Sequence, residues 1–212
     1  MNRDIDIPRV ALVAFVLLVG ATFVVGGATS SVAFDTFNPE WDGTSELQAT
    51  AESEGSEPII VRNTTQYDQY GANTTAFVLA PDEAYTDADV AQIRAFLDRG
   101  GRLVVADRDG PHGPALLEAV GAEAHPQPSG PLLRDDREHY RNSALPVAGT
   151  VENHSLTNEV DELTLNYGTA VEPNGATVLI SSSPYAYLDR DQNGVLSDNE
   201  TLASYPVATV ES

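Results

Sequence analysis

The sequence predicts an α/β protein: a three-layer sandwich with a mostly parallel sheet, preceded by one transmembrane helix. The sandwich is predicted by apolar strand patterns at 75–80 and 102–106, with a helix that is apolar on one face between them. Near-continuous apolar strands are typical of parallel sheets covered on both faces. The transmembrane helix is predicted by residues 10–34, which include no charged side chain.

Residues 10–33 form the predicted transmembrane anchor. Its apolar part, residues 10–28, would span about 28 Å as a helix, close to the roughly 30 Å thickness of the bilayer hydrocarbon. Arg3 and Arg9 precede this segment, and acidic residues follow it. The positive-inside rule therefore predicts a single-pass protein of the cell membrane, with residues 1–9 in the cytoplasm and the main domain outside. A cleaved signal peptide is the alternative.

Residues 34–57 form an acidic juxtamembrane segment, in which Thr44 or Ser45 could cap a short helix. Sequons of the form N-x-S/T agree with a location outside the cell. The candidate glycosylation sites are Asn63, Asn73 and Asn153. A fourth sequon, at Asn199, falls within the ion-binding motif described below, which argues against its use.

Residues 58–212 form the predicted α/β domain. Thr86 is a predicted helix N-cap, because acidic residues follow it where the helix dipole favours anions. Apolar residues then recur at helical spacing until Gly100 and Gly101 end the helix. A second helix is predicted at 114–120. Later strands are expected at 163–167, 177–181 and 206–210.

Composition excludes several classes of function. The 212 residues include 32 acidic and 11 basic ones, all of the latter arginine, which gives a net charge of −21. Such a charge opposes nucleic-acid binding, which uses a basic face. The absence of cysteine excludes thiol nucleophiles, disulfides and thiolate metal sites. An acidic chain without lysine is typical of halophilic proteins, since salt screens the repulsion; an acidic protein from ordinary salt is the alternative.

Four stretches of the chain carry a family resemblance. They are NPEWDGTSEL at 38–47, FVLAPDEAYTDADVAQIRAFLDRGGRLVVAD at 77–107, LTLNY at 163–167, and YAYLDRDQNGVLSDNETLASYPVATVE at 185–211. These stretches resemble the domain-of-unknown-function 4350 family, which is prokaryotic and membrane-tethered and has salt-loving archaeal members. The resemblance implies a flavodoxin-like domain similar to class I glutamine amidotransferases, and protein partners in a membrane complex. Relatives often continue with another strand and a hydrophobic segment, so a shortened C-terminus is expected.

The amidotransferase nucleophile is a cysteine, and this chain has none. We therefore expect a non-catalytic domain rather than an enzyme. An alternative is a metal-assisted hydrolase that uses the loop after strand 102–106, where Asp107, Asp109 and His112 could bind a divalent metal or transfer protons. An ordinary polar turn before a helix also fits this loop.

The most specific motif, DRDQNGVLSDNE at 189–200, fits the twelve-residue calcium loop D-x-D-x-N-G-x₅-E. Calcium takes about six to eight oxygen ligands. The expected ligands are Asp189, Asp191, Asn193, the Val195 backbone carbonyl, Ser197 through water, and Glu200 with two oxygens. Pro184 and Pro206 leave no room for two full EF-hand helices, so we expect a structural ion that pins the connection between two strands. The sequence therefore predicts a membrane-anchored, extracytoplasmic binding or scaffold domain with a calcium loop.

Overall fold

A computed structural model describes most of the chain outside its N-terminal region. The described residues are 38–40, 43–107, 110–127 and 130–212. The chain divides into two compact units, Met1–Val61 and Arg62–Ser212. The predicted cytoplasmic segment 1–9 and the predicted anchor 10–33 lie outside the described residues. Within the described residues, no helix is both long enough and apolar enough to cross a membrane.

The described part of the first unit contains helix α1, Ser45–Ser53. Before this helix, the Gly43 N–H donates to the Glu40 carbonyl at 2.9 Å. The Ser45 hydroxyl donates to the Asn38 carbonyl at 2.8 Å. A Cβ atom on Gly43 would lie 2.0 Å from the carbonyl oxygen and 2.6 Å from the Cβ atom of Asn38, so position 43 requires glycine.

The second unit begins with a 3₁₀ helix, Thr64–Gln69, followed by a strand–helix–strand unit. Strand β1 (Thr75–Leu79) pairs in parallel with strand β2 (Arg102–Ala106). Helix α2 (Asp87–Asp98) connects the two strands. These three elements lie where the apolar pattern predicted them.

Local sequence signals set both ends of α2. Thr86 and Asp89 form a capping box, in which the Thr86 hydroxyl accepts the Asp89 N–H and the Asp89 carboxylate accepts the Thr86 N–H. At the other end, the Gly101 N–H donates to the Phe96 carbonyl at 3.1 Å, and Gly100 has a φ of +85°. This is the Schellman arrangement expected of a glycine helix stop.

Short antiparallel pairs form the rest of the second unit, after helix α3 (His112–Val120). The remaining strands are β3 (His125–Pro126), β4 (Leu132–Asp135), β5 (Val147–Ala148), β6 (Thr150–Val151), β7 (Leu163–Thr164), β8 (Val171–Glu172), β9 (Thr177–Ser181), β10 (Ala186–Asp189) and β11 (Pro206–Val210). β3 pairs with β8, β4 with β10, and β5 with β7, while β9 lies between β6 and β11. All of these pairs are antiparallel.

The predicted three-layer sandwich with a mostly parallel, flavodoxin-like or amidotransferase-like sheet is therefore wrong. Among the described residues, β1 and β2 form the only parallel pair. Parallel strands need long crossovers, usually helical, and no α-helix follows α3 in the described part of the chain. The apolar strands also do not have both faces covered, because Phe77 and Val104, which are register partners, are 50% and 39% exposed.

Two clusters of the hydrophobic core of the second unit lie around β9 and β10, and further buried apolar side chains lie on α2 and α3. One cluster contains Leu133, Ala170, Ala186 and Leu188, and a second contains Ala148, Leu179 and Ile180. Val207 of β11 packs against both clusters. All four residues of β10 are buried, so the strand carries its last residue, Asp189, to the edge of the core in a fixed position.

Candidate metal centre

The loop that follows β10 places three carboxylates around a common point. One oxygen from each of Asp189, Asp191 and Glu200 lies within 4.8 Å of the other two. Calcium–oxygen distances are about 2.3–2.6 Å, so oxygens that share one ion lie at most about 5 Å apart. The three carboxylates are therefore close enough to contact one cation.

Asp189 has the most unusual environment of the three carboxylates. Its side chain is 1% exposed. Its Oδ2 accepts hydrogen bonds from Arg134 Nε at 2.6 Å and from the Gly194 N–H at 3.1 Å. Its Oδ1 is buried and has no hydrogen-bond partner among the described residues. A buried acceptor without a partner costs about 1–3 kcal/mol, more when it is charged, and a cation beside it would offset that cost.

Glu200 is held in place from both ends of the loop. Its Oε1 accepts the Arg190 N–H at 2.6 Å, and its Oε2 accepts the Ser197 N–H at 3.1 Å. An ionised carboxylate offers about four acceptor positions, so these two bonds leave capacity for a metal. The hydrogen bonds therefore fix Glu200 near Asp189 and Asp191 without using the whole carboxylate.

The other predicted ligands form a hydrogen-bonded group at the loop surface. Asn193 Nδ2 donates to Asp191 Oδ2 at 2.9 Å and to Ser197 Oγ at 2.8 Å. Asn193 Oδ1 accepts the Val195 N–H at 2.8 Å. Asn193 thus presents its nitrogen to Asp191, and its Oδ1, which has two lone pairs, uses one of them for the Val195 N–H. Val195 itself is 60% exposed.

Arg134 belongs to this site and was missed by sequence reasoning. It lies in β4 directly opposite Tyr187 of β10, so Asp189, two residues further on, is on the same face. Its guanidinium pairs with Asp189 and also donates to Ser143 Oγ at 3.3 Å. The contact depends on the pairing of two strands that are 55 residues apart, so no local spacing could have revealed it.

Tyr187 adds a neutral donor beside the loop. Burial raises the pKa of its phenol, the Asp136, Asp189 and Glu200 carboxylates raise it further, and Arg134 opposes them. Its hydroxyl therefore stays protonated at neutral pH and donates to the Gly194 carbonyl at 3.5 Å.

The loop at 107–113, which the hydrolase hypothesis uses, is arranged differently from the loop at 189–200. Asp107 Oδ1 accepts the Gly110 N–H at 3.3 Å, and its Oδ2 accepts the Gly113 N–H at 3.0 Å. The Asp107 carboxylate therefore holds the backbone that leads into α3. His112 is the half-buried first residue of that helix, and Asp109 lies outside the described residues. In the described residues, neither Asp107 nor His112 joins a group of three possible metal ligands, so the hydrolase hypothesis stays a prediction.

The three candidate glycosylation sites, Asn63, Asn73 and Asn153, are all exposed. Asn63 caps the 3₁₀ helix, since its side chain accepts the Thr65 N–H at 2.9 Å. Asn73 has a φ of +70°, which is typical of a turn. Their use as glycan acceptors stays a prediction.

Residues 36–212 match the model of a family described as "Domain of unknown function (DUF4350)". The chain belongs to the DUF4350 family. The resemblance inferred from the sequence is thereby confirmed. The match does not test the membrane tether, the halophilic origin or the likeness to glutamine amidotransferases. Both loops discussed above, at 107–113 and 189–200, lie within the matched part of this DUF4350 chain.

No curated protein matches this DUF4350 chain. It is similar to a solved structure described as "mmIFT52 N-terminal domain", with 16% sequence identity and a TM-score of 0.49. The similarity covers 76% of this chain and 78% of that one. A likeness at this level is too weak to support a functional argument.

Proposed function

We propose that this DUF4350 protein is a non-catalytic binding or scaffold domain whose β10–β11 connection is stabilised by calcium. The observation that carries the proposal is the buried, unpartnered Oδ1 of Asp189 in a carboxylate that converges with Asp191 and Glu200. The order and spacing of these residues also fit the calcium-loop pattern.

The donor set favours calcium over other common metals. The loop 189–200 contains no histidine and the chain no cysteine, the ligands preferred by zinc and copper. Carboxylate, amide, hydroxyl and carbonyl oxygens are hard ligands that suit calcium and magnesium. Magnesium demands a near-ideal octahedron and retains several waters, whereas calcium accepts the irregular geometry of a long loop.

The proposed ion has a structural role. β10 pairs with β4, whereas β11 pairs with β9, so the loop joins strands of two different sheets. The end of the loop returns alongside β10, where the Ala203 N–H donates to the Ala186 carbonyl at 2.9 Å. An ion shared by Asp189 and Glu200 would hold the start and the end of this loop together and fix its return path.

The proposed location is outside the cell, with the domain held at the membrane in a complex with other proteins. Its support is the sequence alone: the uncharged segment 10–34, and Arg3 and Arg9 before it. Calcium modules outside the cell bind at about 10⁻⁴–10⁻³ M, which is tight enough for a structural ion wherever free calcium is at or above that concentration.

Isothermal titration of the full chain tests the calcium proposal. The protein is treated with chelator, exchanged into high-potassium buffer and titrated with CaCl₂. We expect one ion per chain, a Kd of about 10⁻⁴–10⁻³ M, and a higher melting temperature with calcium. Glu200→Gln should weaken binding about tenfold or more, because it removes one of the charged ligands that set calcium affinity.

Asp198→Asn is the matched control, because Asp198 is an exposed acid of the same loop outside the carboxylate cluster. It should bind calcium as the wild type does. A wild-type chain with no heat of binding and no melting shift would remove the calcium proposal. Equal loss of affinity in both variants would show that the loop attracts calcium only through its overall charge.

A further inference from the structure

We infer that Arg134 is the counter-charge that stabilises the buried Asp189 carboxylate when no cation is bound. Arg134 and the ion would then share this carboxylate, with one oxygen for each. The inference rests on the proposed calcium site. It adds a positioning residue from another strand, and it implies that the domain folds before the ion binds.

The hydrogen bonds of the Asp189 carboxylate all fall on one of its two oxygens. Arg134 and the Gly194 N–H both use Oδ2, which leaves Oδ1 for the ion. The guanidinium also lies against the turn of the loop, since a Cβ atom on Gly194 would be 3.6 Å from Arg134 Nη2. In this arrangement Asp189 would offer a cation its Oδ1 alone, because Oδ2 is already engaged by Arg134 and Gly194.

Burial makes this counter-charge necessary. An ionised carboxylate that is 1% exposed is strongly disfavoured unless an opposite charge and hydrogen bonds compensate it. Arg134 supplies both through its Nε, and its hydrogen bond to Ser143 helps to hold the guanidinium in place. The ion-free loop can therefore remain folded around Asp189.

Arg134 also sets the charge of the site. Asp189, Asp191 and Glu200 together carry −3, and the adjacent Arg134 brings the sum to −3 + 1 = −2. One divalent cation neutralises that charge. Removal of the arginine charge should therefore weaken the ion-free fold and, at the same time, strengthen the attraction for calcium.

Melting of the full chain in chelator and in saturating calcium tests the inference. Arg134→Gln keeps a hydrogen-bond donor but removes the charge, and should melt about 5–15 °C lower in chelator. Calcium should restore most of this loss, so its stabilising shift should be several degrees larger than in the wild type. Arg134→Lys keeps the charge and should show a shift close to the wild type. Arg102→Gln, on an exposed part of β2, is the control for loss of an arginine.

The outcomes separate this inference from the calcium proposal. Equal calcium shifts in the wild type and in Arg134→Gln would overturn the role of Arg134 while leaving the ion site intact. No shift and no heat of binding in the wild type would instead remove the ion site itself. If Arg134→Gln does not fold in chelator, refolding in calcium decides: recovery supports the inference, and failure to recover contradicts it.

Discussion

Asp107 and Asp189 each come at the end of an apolar strand and open an acidic loop, but their carboxylates meet different partners. Each oxygen of Asp107 accepts a backbone N–H from the turn that leads into α3. In Asp189, Oδ2 accepts from Arg134 and Gly194, whereas Oδ1 accepts from none of the described residues. An acid after a strand is thus a better ion-site candidate where burial leaves one of its oxygens without a donor.

The largest loss of stability is expected when Asp189 and Asp107 are replaced by asparagine in two separate variants. Asp189→Asn leaves Arg134 without its anionic partner and should cost about 3 kcal/mol of unfolding free energy. It should also abolish stabilisation by calcium. Asp107→Asn weakens two hydrogen bonds and should cost about 1–2 kcal/mol, with the calcium effect unchanged. Urea unfolding with and without calcium measures both. The distinction between the loops fails if Asp189→Asn still responds to calcium.

A smaller effect is expected from a substitution that moves the Asp107 carboxylate. A Cβ atom on Gly113 would lie 2.8 Å from the Asp107 Cβ atom, so Gly113→Ala must displace that side chain. We expect a loss of about 1–3 kcal/mol, although alanine favours helices. Gly149→Ala is the control, because a Cβ atom there meets nothing within 4 Å. Equal stability of the two variants would show that Asp107 does not hold the start of α3.

The smallest effect concerns the capping box of α2, far from the ion loop in sequence. Hydrogen bonds from the Thr64 hydroxyl, and then from the hydroxyl and N–H of Thr86, lower the pKa of Asp89 below its usual 3.8. A carboxyl whose pKa is lower in the folded state stabilises the fold above its unfolded pKa. That contribution is lost as the pH falls through the folded pKa.

Asp89→Asn should therefore be less stable than the wild type at neutral pH, and the difference should shrink as the pH falls below the usual carboxyl pKa of 3.8. Melting curves of both proteins across this range measure it. The calcium shift should be the same in both. A difference that grows as the pH falls would contradict this account of the cap.

Local signals in the sequence were enough to predict the elements that are stabilised by contacts between neighbouring residues. Thr86, Gly100 and Gly101 set the ends of α2 through contacts within a few positions of the chain. The calcium-loop spacing likewise indicated that Asp189, Asp191 and Glu200 would lie together, because a twelve-residue loop is short enough to bring its own acids into contact.

Strand pairing could not be predicted in the same way. Between 125 and 162 the sequence has no clear period, since the strands there are two to four residues long and too short to show one. The pairing of β4 with β10, and with it the contact of Arg134 with Asp189, depends on packing between distant segments. The apolar run of β2 predicts two covered faces, but composition does not reveal whether a neighbouring layer exists.

The most direct test of the central claim is a crystal structure of the full chain grown with calcium. We expect a cation bound by about six to eight oxygens at roughly 2.3–2.6 Å, among them Asp189 Oδ1 and oxygens of Asp191 and Glu200, with Arg134 still on Asp189 Oδ2. An ion held elsewhere, or a fully occupied loop in which Asp189 Oδ1 takes no part, would contradict the claim.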